Sequence, residues 1–150
     1  MDKKVVDRTV ALLSIHPIYA NFLLEGSKCV ELRKTKISRD VRYIVIYSTS
    51  PVKKIVGYFS VAQIVIDSPS SIWSQYQEIA GINQINFYNY YKNAKQAVAI
   101  EVEHMYQLCN PVPLSILGKK LKPPQSFQYF DISSIKTLSN HASMSSSSSA

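Results

Sequence analysis

At 150 residues with 46% hydrophobic side chains, the chain can bury one real core without metal or disulfide staples. No apolar run approaches the roughly 18 residues of a membrane span, and the charged start Met1-Asp2-Lys3-Lys4 leads into no signal-peptide core, so a cytoplasmic location is expected. A net charge of +7 and a pI near 9.4 favour polyanionic partners. Cys29 and Cys109 lie far apart without metal-type spacing and read as free thiols in a reducing compartment, so neither metal nor cofactor is expected.

In chain order, residues 8–15 (R-T-V-A-L-L-S-I) read as a buried first strand. Pro17 suits the first position of a helix, and Ile18, Phe22 and Leu23 follow at near-helical spacing until Gly26 stops it. Residues 28–33 then alternate, with Val30 and Leu32 on one face and Cys29, Glu31 and Arg33 on the other. That alternation places Lys28 and Glu31 on opposite faces, whereas Glu31 and Arg33 share a wall. The pair reads as either a surface ion pair or the floor of a polar pocket. Residues 35–40 form a charged connector flanked by Lys34 and carrying Lys36 and Arg39, which reads as a solvated loop or as one that faces phosphates.

Residues 41–47 (V-R-Y-I-V-I-Y) carry the strongest strand signal, that of a strand covered on both faces. The strand ends in Ser48-Thr49-Ser50-Pro51, a turn whose hydroxyls and backbone N–H groups suit an anionic or polar ligand. A long strand follows over 54–67, with Gly57 marking a bulge or bend. Ser68-Pro69 opens a helix with apolar residues at 72, 73, 76, 79 and 80, and Gly81 ends it. Asn83 begins a second helix through Phe87, Tyr90 and Tyr91. Residues 96–105 alternate as a strand that Pro111 and Pro113 break off, and 114–118 make at most one helical turn. Residues 119–129 join a lysine cluster, a diproline and two aromatics into a recognition segment that runs into a closing strand. The domain is expected to occupy 1–138, with 139–150 a disordered Ser-rich tail.

The element order strand–helix–strand–strand–strand–helices–strand–strand describes an α+β fold, a small mixed β-barrel of five or six strands with flanking helices. The blocks S-I-H-P-x-Y (14–19), G-S-K-x-V-E-L-R-K (26–34), Y-S-T-S-P (47–51), V-G-Y-F (56–59) and K-P-P-Q-S-F-Q-Y (122–129) together resemble the ASCH family of the PUA-like superfamily, over residues 10–132. The resemblance implies a pseudobarrel with a cleft between barrel and helices and a role in binding RNA. It implies that Lys28, Glu31, Arg33 and Lys34 line that cleft, that Ser48, Thr49 and Ser50 form its rim, and that Lys122, Gln125 and Phe127 lie beside it.

Two functions follow. In the first, the chain is a non-catalytic module for RNA or a modified nucleoside, of a kind suited to regulation: Arg33, Lys34 and Lys28 contact phosphates or base edges, Glu31 accepts from an exocyclic amine, and tyrosines stack. In the second it is an enzyme of the same fold. One branch of the resembled family comprises amidohydrolases acting on N4-acylated cytidine, in which a lysine works with a threonine three residues on, and others have been proposed to cleave RNA. Lys28 matches that lysine, but Glu31 stands where the threonine belongs. The candidate acid–base pair is then Lys28 and Glu31. His16, ahead of Pro17, reads as a helix-start residue. No phosphate loop, metal cluster or serine elbow is present in the sequence.

Overall fold

The computed structural model describes residues 7–118 and 121–142. One six-stranded sheet is built from β1 (Val10–Ile15), β2 (Val30–Arg33), β3 (Tyr43–Ser48), β4 (Lys54–Asp67), β5 (Ala97–Val112) and β6 (Phe127–Phe130), in the order β2-β5-β4-β3-β1-β6. β1 runs parallel to β3, and the other neighbouring pairs are antiparallel. The fold is α+β, a mixed sheet curled into a half-barrel, with helices α1 (Pro17–Glu25), α2 (Pro69–Tyr76), α3 (Gln84–Tyr90) and α4 (Ser133–Ser139) around it.

Curvature comes from the two long strands. β4 pairs with β3 and β5 through register shifts at Ile46/Tyr47, Ile55/Gly57, Ser60/Val61 and Val61/Ile64, and each shift bends the ladder. Gly57 sits at the first bend because two neighbours leave no room there for a side chain. A Cβ would lie 2.7 Å from the Tyr106 carbonyl oxygen and 2.7 Å from Leu24 of α1.

Both faces of β1 are covered, which explains its unbroken apolar run. Ala11, Leu13 and Ile15 pack against Ala20 and Leu23 of α1 inside the curl, while Val10 and Leu12 meet Ile135 and Leu138 of α4 outside it. α2 and α3 close the third side over Val30 and Leu32 of β2, with Phe87 fully buried and Trp73 packed beside it at 4.9 Å. Ser68 caps α2 by accepting from the Ser71 N–H, and Asn83 caps α3 through the Asn86 N–H.

Three details depart from the sequence reading. β5 continues to Val112 instead of ending near Met105; its ladder to β4 lapses between Gln107 and Val112, which is where Pro111, unable to donate, is accommodated. α4 was not expected; Asp131 starts it by accepting from the Ser133 N–H at 3.0 Å. The presumed tail is placed as far as Ala142, which bridges to Leu108, and the His141 carbonyl accepts from the Cys109 N–H at 2.7 Å. The remaining tail residues, 143–150, and the first two lysines of the basic cluster, 119 and 120, lie outside the described residues.

Candidate functional site

The edges of the curled sheet approach each other where β2 comes up to the end of β1 and the start of β6, and Arg33 bridges the gap. Its Nη1 donates to the Ser14 carbonyl at 3.3 Å and to Glu31 Oε2 at 3.2 Å; its Nη2 donates to the Ser126 carbonyl at 3.1 Å and to Ser126 Oγ at 3.2 Å. The guanidinium expected to reach for phosphates is thus committed to holding the barrel closed. Glu31, 5% exposed, forms the other half of this ion pair, so the pair floors a pocket and is not a surface decoration.

Behind Arg33 lies a cavity of about 240 Å³ lined by Ser14, His16, Tyr19, Lys28, Glu31 and Arg33, with Ile15, Leu32, Ile82 and Tyr90 completing it. Lys28 is 4% exposed. Its Nζ donates to the Ala80 carbonyl at 2.5 Å and stands 5.4 Å from the centre of the Tyr19 ring. Gly81, at φ +64, allows this: a Cβ there would sit 2.7 Å from the Lys28 stem. Burial pushes the Lys28 ammonium below its ordinary range, and the Glu31 carboxylate partly opposes that shift.

Lys28 and Glu31 therefore face one cavity, contrary to the alternation expected of them. The reason is local. The chain becomes a strand only at Val30, and the Cys29 N–H is held by the Ile79 carbonyl at 2.9 Å, so the two-residue period does not extend back to Lys28.

Not all the expected site residues reach the cavity. Lys34 is exposed at its edge, with Nζ 4.6 Å from the centre of the Tyr90 ring. Ser48, Thr49 and Ser50 are not in the lining: β3 lies beside β1, and its terminal turn meets the other side of Ile15, whose carbonyl accepts from the Thr49 N–H at 3.0 Å. Lys122 and Gln125 are exposed, and Phe127 is half-buried against the barrel core, 5.2 Å from Tyr129. Their segment reaches the site through its backbone and one hydroxyl. The Pro124 carbonyl accepts from Ser14 Oγ at 2.6 Å, and Ser126 receives Arg33.

Sequence reasoning did not single out Ser14, His16, Tyr19, Ile82 or Tyr90 as lining residues. The first three fall in the S-I-H-P-x-Y block, which was the available signal. His16 is the first residue before α1, exposed, and makes no side-chain capping bond. Tyr90 and Tyr91 divide their roles. Tyr91 is buried, its hydroxyl donating to the Arg33 carbonyl at 3.0 Å, while Tyr90 turns its ring to the cavity and Lys34. Burial raises the phenol pKa of both, and Arg33 opposes the shift at Tyr90.

Among the described residues no group of three or more His, Cys, Asp and Glu is placed to hold a metal ion, and no helix is long and apolar enough to cross a membrane.

A half-barrel whose edges are bridged by an arginine over a cavity holding a lysine and a carboxylate defines the class. The chain belongs to the ASCH domain family, whose pattern matches residues 13–106. It is 28% identical over 129 residues to an ASCH domain-containing ribonuclease of Zymomonas mobilis subsp. mobilis, a match that covers 83% of this chain and 86% of that protein. It is 31% identical over 137 residues to a protein of Ureaplasma parvum serovar 3 named large ribosomal subunit protein uL22, and spans only 44% of that protein's length. A crystal structure of ASCH from Zymomonas mobilis superposes with a TM-score of 0.80 at 25% identity, over 91% of this chain and 98% of that one.

Proposed function

We propose that this ASCH domain binds single-stranded RNA by seating one unstacked nucleotide in the cavity between α1, β2 and α3. The observation that carries the reading is the gathering of Lys28, Glu31 and Arg33 in one cavity walled by the rings of Tyr19 and Tyr90. An unpaired base needs a π surface and a few fixed hydrogen-bonding groups on its edge. Tyr90 supplies the surface, and Glu31 supplies an acceptor for an exocyclic amine. Lys34, above Tyr90, takes the adjoining phosphate, while Arg33 holds Glu31 in place. The Zymomonas mobilis relative bearing a ribonuclease name supports RNA as the substrate class.

The test is the affinity of labelled single-stranded RNA for the wild type and for Tyr90→Ala, a position 39% exposed, with the melting temperature of both proteins measured alongside to show that the variant is folded. Loss of one stacking partner costs roughly 1–3 kcal/mol, so binding is expected to weaken by about 5- to 150-fold. Equal affinity would remove the cavity from the account.

A second reading, cleavage of the bound RNA, is favoured by the buried position of Lys28. A lysine whose ammonium is disfavoured by burial gives up its proton below the ordinary lysine range and can then accept one, and a ribose 2′-hydroxyl beside it is the group that must lose one. Incubation of RNA, and separately of N4-acetylcytidine, with wild type and Lys28→Met separates binding, strand cleavage and amide hydrolysis. Turnover of either substrate that vanishes in the variant makes the chain an enzyme.

A further inference from the structure

Away from the cavity, a second concavity of about 500 Å³ opens where the start of β1, the connection from β2 to β3 and the bend of β4 meet; Arg8, Thr9, Arg39, Asp40, Arg42 and Gln63 border it. Its shape follows from the bulges in β4. Val61 pairs with Val102 and Ile64 with Ile100, so Ala62 and Gln63 stand against the single residue Glu101, one more on the β4 side, and the strand swings out. The loop before β3 is tied into the space this creates: Arg39 Nη1 donates to the Ile64 carbonyl at 2.8 Å, the Arg42 N–H to the Thr9 carbonyl at 2.7 Å, and the Val61 N–H to the Arg42 carbonyl at 2.9 Å.

The charge in this groove is not neutralised. Three arginines border the groove beside one acidic residue, Asp40, and none of them forms an ion pair among the described residues, where the pair is Glu31–Arg33; Arg8 holds its guanidinium 5.7 Å from the centre of the Tyr129 ring, and Gln63 donates to Glu101 at 2.8 Å. Asp7, next in the chain to Arg8, has its carboxylate turned to the Thr9 N–H at 2.8 Å. The same loop connects the groove to the cavity. It leaves β2 at Arg33, carries Lys34 over Tyr90, exposes Lys36, and arrives at Arg39 and Arg42. Lys34 and Arg39 are five residues apart, so their Cα atoms are at most about 18 Å from each other.

We propose that the Arg8–Arg39–Arg42 groove is a second, sequence-independent subsite that grips phosphates of the same RNA strand whose nucleotide enters the cavity. The inference rests on the RNA-binding reading of the cavity and adds to it where the strand leaves. The β2–β3 loop is the track between the two: the cavity selects a nucleotide, and the groove holds the backbone through charge. Occupying both makes the second contact intramolecular, so a strand long enough to span them gains affinity that a mononucleotide does not.

The probes are cytidine monophosphate, whose base carries an exocyclic amine, and an oligocytidylate of about 12 nucleotides, inside the roughly 4–16 that one OB-fold covers. The variants are Arg8→Ala/Arg42→Ala and a charge-matched control, Lys54→Ala/Lys136→Ala, at two exposed positions outside both sites. Arg39 is left intact because it braces the loop. For the oligonucleotide, the plot of log K against log salt is expected to be shallower by about 1.4 in the arginine variant, two phosphate contacts at about 0.7 each, and unchanged in the control. Mononucleotide affinity is expected to be the same in all three proteins. Equal salt slopes in the arginine variant and wild type overturn the groove, as does an equal loss in the control, which would mean that net charge alone acts. Loss of mononucleotide binding in the arginine variant also overturns it, since the effect would then run through the cavity. If instead Tyr90→Ala leaves both ligands unaffected while the groove variant weakens the oligonucleotide, the cavity reading fails and the groove stands as a phosphate site.

Discussion

Arg33→Ala is the substitution with the largest calculable consequence. It deletes a guanidinium that donates to Ser14, Glu31 and Ser126, and so releases β2 from β1 and from the segment entering β6. It also strands the Glu31 carboxylate at 5% exposure without its ion-pair partner. Removing one member of a buried pair costs roughly 3–5 kcal/mol, mostly because the remaining charge has lost both water and counter-charge. For a chain of this size 1 kcal/mol moves the melting temperature by roughly 2–4 °C, so a fall of about 6–20 °C is expected by circular dichroism or calorimetry. A companion variant separates the charge from the bracing: Glu31→Leu/Arg33→Met leaves no stranded carboxylate and should recover part of the loss. A melting temperature within about 2 °C of wild type for Arg33→Ala, or a double variant less stable than the single one, would refute the reasoning.

Lys28 links stability to alkaline pH. Its folded value is lowered from 10.5 by burial, so between that lowered value and 10.5 the unfolded chain holds a proton that the folded chain has released. Stability should therefore rise with pH through that window, reaching its full contribution above 10.5, and Lys28→Met should lack the rise; parallel urea-midpoint profiles from about pH 7 to about pH 10 would contradict this. Gly57→Ala should cost roughly 1–3 kcal/mol in urea denaturation, because its Cβ meets the unyielding Tyr106 carbonyl, and a neutral substitution would mean the bend relaxes freely. Gly81→Ala must adopt φ +64 and displace the Lys28 stem, so it should both lower stability by roughly 1–2 kcal/mol and weaken cytidine monophosphate binding. A Gly81 variant that binds normally would separate Lys28 from the ligand.

Much of the fold was legible because its signals are local. Pro17 and Gly26 bracket α1, the run over residues 41–47 is apolar because β3 is covered on both sides, and Ser68 and Asn83 are helix caps by side-chain chemistry. α4 was missed: its residues are mostly polar, and what makes it a helix is the docking of Ile135 and Leu138 on the outer sheet face. The hydroxyl turn at Ser48–Ser50 has the right chemistry for a rim, yet strand order puts Ile15 between it and the cavity.

By itself the sequence determined most of the elements, the shared face of Glu31 and Arg33, and the positive charge that favours an anionic partner, since each depends on side-chain type and on neighbours a few residues away. Only the tertiary structure decided that the Ile79 carbonyl, by holding Cys29, lets Lys28 join Glu31, that Arg33 closes the barrel, that Tyr90 supplies an aromatic wall, and that Arg8 and Arg42 border one groove. Those outcomes depend on which strands pair and where bulges turn them, and no local pattern encodes the distance between residues that the chain separates by dozens of positions.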